Sequence, residues 1–177
     1  MLRTQADPVK VFDAELRRLV KDLTETMLDA PGVGLAAPQI GVSLRVFTFH
    51  VDDQLGHLIN PSLSLSDEAE TDDEGCLSFP GLYYECTRAE RVVVAAVDVT
   101  GAALELTAAG LLARIFQHEI DHLDGVLFID RLPRAERKLA MRAWRERELD
   151  LEPAGAEPHL HVPAQRPPVR PGPATAL

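Results

Sequence analysis

The chain has 177 residues, 46% of them apolar and 26% charged, which is enough for one domain with a real core. Its net charge of −10 argues against a protein whose main task is gripping nucleic acid. No apolar run is long enough to cross a bilayer and the first residues, MLRTQADPVK, lack a signal-peptide core, so a cytoplasmic location is the default expectation.

In chain order, residues 12–29 predict an amphipathic helix. Phe12, Leu16, Leu19, Val20, Leu23 and Met27 recur at helical spacing, Asp13 is placed to cap its start, and Pro31 and Gly32 stop it. The loop PGVGLAAPQIG, 31–41, follows. It matches G-x-G-x-x-A formally, but a helix precedes it and Pro38 blocks one after it, so a dinucleotide site is disfavoured. Its small residues suit either close packing or a backbone running beside a ligand, with Gln39 offering an uncharged donor.

Residues 44–51, 57–63, 82–86, 91–99 and 103–108 read as short strands. Asp98-Val99-Thr100-Gly101 suggests a hairpin connection, and the acidic run 66–75 reads as a loop. Helices are expected over 110–123 and 134–149. The stretch from Arg131 to Leu149 holds seven of the 18 basic residues: Arg131, Arg134, Arg137, Lys138, Arg142, Arg145 and Arg147. From about 151 the chain carries seven of its 13 prolines and reads as a disordered tail. The expected class is α+β, with short, mostly antiparallel strands around a central metal-binding helix, and further helices at the N-terminal and C-terminal ends. Residues 1–150 are expected to form one folded domain.

QHEIDH, 117–122, places His118 and His122 four apart on a helix, so both rings can face one ion. Glu119, between them, suits a general base that takes a proton from metal-held water. A metzincin third ligand fails because residue 128 is Phe. Glu146 and Glu148 qualify as gluzincin-type ligands by distance alone, whereas Cys76 in EGCLS offers a thiolate suited to zinc or ferrous iron. Cys86 belongs to no motif and reads as a packed thiol. The stripe Leu111, Ile115, His118, His122 puts two apolar side chains beside the metal, and Arg114, four residues before His118, is expected at the pocket rim in contact with a peptide.

GVGLAAPQ (32–39), EGCLS (74–78) and QHEIDH (117–122) together, in this order and spacing, resemble the bacterial peptide deformylases from about Leu2 to about Leu149. The resemblance implies that Cys76, His118 and His122 hold the metal, natively Fe(2+) and often replaced by Zn(2+) or Ni(2+). It implies that Glu119 moves protons and that Gln39 and the Leu77 N–H hold the oxyanion. The implied substrate is the N-formyl group on the initiator methionine of a nascent peptide, released as formate. An extended peptide would pair with the edge at Val33 and Gly34 and place its methionine against Leu111 and Ile115. Family members usually carry an extra strand before the segment resembling Leu2–Val9, so an uncovered sheet edge is expected here. In some of them a C-terminal helix docks on ribosomal RNA, a role the basic helix 134–149 suits. A zincin-type endopeptidase would need a downstream ligand instead of Cys76, and a non-catalytic metal-stapled protein would not need Glu119 or Gln39.

Overall fold

The computed structural model describes residues 1–150. The Pro-rich segment 151–177, expected to be disordered, lies outside the described residues. Helix α1 runs Ala14–Asp29, and Asp13 caps it by accepting from the N–H groups of Glu15 and Leu16 at 3.0 Å each. Strand β1 (Gly34–Ala36) leads into a short 3-10 turn, Ala37–Ile40. Strands β2 (Val46–Val51), β3 (Gln54–Leu65), β4 (Ala69–Gly75), β5 (Tyr83–Ala89), β6 (Arg91–Val97) and β7 (Ala103–Ala109) follow. Helix α2 spans Gly110–Leu123, and α3 spans Arg134–Asp150.

A five-stranded antiparallel sheet has the order β1-β2-β3-β6-β7, and β4-β5 is a separate two-stranded hairpin. The expected α+β class is observed. The turn between β6 and β7 works as anticipated: the Asp98 carboxylate accepts from the N–H groups of Thr100 and Ala102, and Gly101 supplies a φ of +84°. Pro61 sits inside β3 because the pairing with β6 is broken between Ile59 and Ser62. There the Asn60 side chain holds Val9, accepting from its N–H at 2.8 Å and donating to its carbonyl at 2.9 Å.

Two expectations are corrected. The acidic run 66–75 is not all loop, because 69–75 forms β4 and pairs with β5 from Ala69↔Ala89 to Gly75↔Tyr83. Alternation explains it: Thr71 and Asp73 face water opposite Thr87 and Glu85, while Glu74 turns inward and is buried. Strand β1, within the small-residue loop, was not anticipated as a strand.

The five-stranded sheet is covered on both sides. Leu16, Val20, Leu23 and Met27 of α1 pack with Leu35, Val46 and Ile59. Ala113, Phe116, Ile120 and Leu123 of α2 pack with Phe47, Phe49, Leu58 and Val94. A third cluster joins Phe79, Leu82 and Cys86 to Phe128, Ile129 and Ala140, with Trp144 packed against it. Cys86 is buried there, as expected of a packed thiol, and burial pushes its pKa up. Phe116 is fully buried, with ring centroids 5.8 Å from Phe47 and 5.0 Å from Phe49. Phe116→Ala is therefore expected to cost about 3–5 kcal/mol, read by urea unfolding; a loss below about 1 kcal/mol would show that this contact does not anchor α2.

Candidate metal centre

Helix α2 carries His118 and His122 one turn apart, with ring centroids 4.9 Å apart at an interplanar angle of 72°. Cys76 follows the end of β4, and its Sγ lies 3.2 Å from His122 Nε2. One donor atom from each of Cys76, His118 and His122 falls within 4.8 Å of the others. Both histidines are buried and Cys76 is half-buried. A thiolate and two imidazoles form the donor set that zinc or ferrous iron prefers, so these residues fit such an ion. Of the rival third ligands, Glu146 pairs with Arg142 at 2.8 Å on an exposed face of α3, and the side chain of Glu148 lies outside the described residues.

The surroundings orient the rings. His118 Nδ1 lies 2.7 Å from Glu74 Oε1, which leaves Nε2 for the ion. Glu74 also receives both Arg88 Nε, at 2.9 Å, and Arg88 Nη2, at 2.6 Å. Burial alone would raise the Glu74 carboxyl, but the bonds from His118 and Arg88 hold it well below the usual carboxylate range. Burial, with His118 beside it, pushes His122 down to about 3, so its ring is neutral, the ligating form. For His118 burial acts downward too, but bonds to Cys76 and Glu74 outweigh it and raise the pKa. That position attracts positive charge, which is also what a cation needs. Arg88 continues to Asp121 at 2.6 Å, and Asp121 accepts from Arg131.

Glu119 is buried, and one of its oxygens has no hydrogen-bond partner among the described residues. Burial pushes its pKa up to about 7. Its carboxyl lies against Gly34, where a Cβ would push it from this position, so the glycine leaves room for it. Gln39 is anchored by Oε1, which accepts from the Ala36 N–H at 2.8 Å. Its Nε2 donates to Ser78 Oγ at 3.1 Å and lies 3.9 Å from Cys76 Sγ.

A cleft of ≈ 890 Å³ opens over these groups. Val33, Gly34, Gln39, Leu77, Leu111, Ile115, His118 and Glu119 all line it, as do Pro80, Gly81, Tyr83 and Arg147. Arg114, expected at the rim, also borders the cleft, though from inside the protein. It is 5% exposed, and its guanidinium donates to Glu74 and to the Cys86 and Glu70 carbonyls. Sequence reasoning missed Glu74, Arg88, Gln117 and Asp121. The one available signal was helical spacing, since 114, 117, 118 and 121 share a face of α2.

The sequence profile described as polypeptide deformylase matches residues 1–138. The peptide deformylase of Acidothermus cellulolyticus is 64% identical over 148 residues, covering 84% of this chain and 82% of that protein. Peptide deformylase 1 of Bacillus cereus is 52% identical over 136 residues, or 76% of this chain and 87% of that one. The crystal structure of a peptide deformylase from Legionella pneumophila superposes with a TM-score of 0.79 at 44% identity, covering 86% of this chain and 93% of that one. The peptide deformylase of Thermus thermophilus gives 0.79 at 45%, covering 84% and 90%.

Because Glu74 fixes the ring of His118, a candidate ligand, Glu74→Gln is expected to weaken metal affinity by roughly 10–100-fold. Competition against a chromogenic chelator measures it, and unchanged affinity would show that the Glu74–His118 bond does not tune the ligand.

Proposed function

The chain belongs to the polypeptide deformylase family, and on that premise we propose how its residues divide the work. It is a metal-dependent hydrolase that removes the N-formyl group from the N-terminal methionine of newly made polypeptides and releases formate. Residues 1–150 form the catalytic domain, with Cys76, His118 and His122 as the ligands and ferrous iron as the native ion. The ion, when bound, supplies the Lewis acidity that makes water a nucleophile near neutral pH. Zinc and nickel suit the same donors.

Glu119 takes the proton that water loses on attacking the formyl carbon. It returns that proton to the amine nitrogen as the C–N bond breaks, so formate and a free N-terminus leave together. The observation that carries this role is the unpartnered, buried carboxylate oxygen beside the ligands, on a group poised at about 7. Gln39 Nε2 and the Leu77 N–H stabilise the oxyanion, and the anchored Oε1 of Gln39 is what keeps the amide turned that way. The peptide runs along β1, the end strand of the large sheet, at Val33 and Gly34. The methionine side chain lies against Leu111, 54% exposed at the cleft mouth, and Ile115, buried beneath it.

Nascent chains imply a cytoplasmic place of work beside the ribosome, and no helix among the described residues is long and apolar enough to cross a membrane. A second observation supports docking there. Arg134, Lys138, Arg142 and Arg145 recur along one face of α3 and all are exposed. Such a stripe suits phosphate contacts. Charge reversal at Arg134, Lys138 and Arg145 is expected to abolish salt-sensitive co-sedimentation with ribosomes while formate release from a tripeptide persists. Co-sedimentation that survives the reversal would count against docking through α3.

The reaction is tested by formate release from formyl-Met-Ala-Ser with protein purified without oxygen. Chelation should abolish activity, and Fe(2+) should restore more of it than Zn(2+). Glu119→Gln should lower kcat by roughly 10²–10⁴-fold with the metal retained. A variant as active as the wild type would remove Glu119 from the proton path.

A further inference from the structure

Hairpin β4–β5 shares no backbone ladder with the five-stranded sheet. Cys76 leaves its end, whereas His118 and His122 belong to α2. The ligand set is thus split between two pieces, and the spacing of the thiolate from the rings is set by whatever joins them.

Beyond the chain connection at Glu90, between β5 and β6, the pieces are joined by a row of buried polar side chains on α2: Arg114, Gln117, His118 and Asp121. They stand at i, i+3, i+4 and i+7, one face of the helix. Gln117 accepts from the Ala89 N–H at 3.0 Å and donates to the Ala89 carbonyl at 2.9 Å. His118 and Asp121 meet Glu74 and Arg88, as described. Arg114 alone in this row grips both strands. Its Nη1 lies 2.7 Å from the Cys86 carbonyl on β5 and 3.2 Å from Glu74 on β4, and its Nη2 lies 3.2 Å from the Glu70 carbonyl on β4.

We propose that Arg114 is a positioning residue for the metal centre: by pinning both strands of β4–β5 to α2, it sets the separation of Cys76 from His118 and His122. The proposal rests on Cys76, His118 and His122 being the ligands. Two of the three acceptors of Arg114 are backbone carbonyls. The third, Glu74, is already gripped through both oxygens by Arg88. The guanidinium therefore acts as a strut more than as half of an ion pair. Its donors form a rigid planar fork, which spans two strands at fixed angles; a lysine ammonium is a single point on a flexible stem.

The experiment compares wild type, Arg114→Met and Arg114→Lys, each loaded with Co(2+). It reads the visible spectrum, the rate of cobalt transfer to a chelator, thermal unfolding, and kcat and KM on formyl-Met-Ala-Ser. Arg114→Met is expected to alter the thiolate-to-cobalt band and to release cobalt roughly tenfold or more faster. Its kcat should fall while KM stays within about twofold. Arg114→Lys should fall between, and it decides by the same readouts if the methionine variant does not fold. A spectrum and release rate equal to wild type would overturn the proposal even if thermal stability drops. A raised KM with kcat kept would overturn it too, by showing a direct peptide contact. Wild type that takes up no cobalt would overturn the ligand assignment and the proposal together.

Discussion

One buried carboxylate holds the candidate metal centre together. Glu74 is 5% exposed, and taking a charged carboxylate out of water costs several kcal/mol unless donors replace the lost hydration. Here Arg88, Arg114 and His118 replace it. Arg88 also holds Asp121, and Asp121 holds Arg131, so negative and positive groups alternate through the interior. Sliding α2 along the hairpin would leave one of these charges alone, a loss on the order of 3–5 kcal/mol. The same bonds that keep Glu74 ionised therefore hold the two halves of the site in register.

Helix α2 has no water-facing side over most of its length, since every residue from Ala113 to Leu123 is buried. Ala113, Phe116, Ile120 and Leu123 face the large sheet. Leu111, Ile115 and His118 border the cleft. Arg114, Gln117, His118 and Asp121 face the hairpin. His118 lies where the second and third of these faces meet, so one ring borders the cleft and also accepts its orientation from Glu74. Gly34 completes the cleft from the opposite side by leaving room for the Glu119 carboxyl.

What could be read in the sequence follows from how local its cause is. The bounds of α2 were legible because its apolar spacing and the β-rich run before it are local signals, and the start of α1 because Asp13 caps it. The histidine pair was legible from helical period alone. Strand β4 was not, because a run of Asp and Glu has low strand propensity. Its outer acids tolerate the strand by facing water, and its inner one by meeting cations distant in sequence, at positions 88 and 114. The burial of Arg114 was not legible for a related reason. A cation on a cleft-lining helix suggests a rim, and the carbonyls that capture it indoors leave no trace in side-chain identity.

The division of the candidate ligands between hairpin and helix has a thermodynamic consequence. An ion held by Cys76 and by both histidines bridges two pieces that share no backbone ladder. Its binding energy then enters directly into the cohesion of the domain, growing as RT ln(1 + [ion]/Kd) for an ion that does not bind the unfolded chain. Loosening of the hairpin and escape of the ion become one equilibrium viewed from two sides. The melting temperatures of this chain in a series of divalent cations should accordingly rank those cations by affinity, with no assay of turnover required.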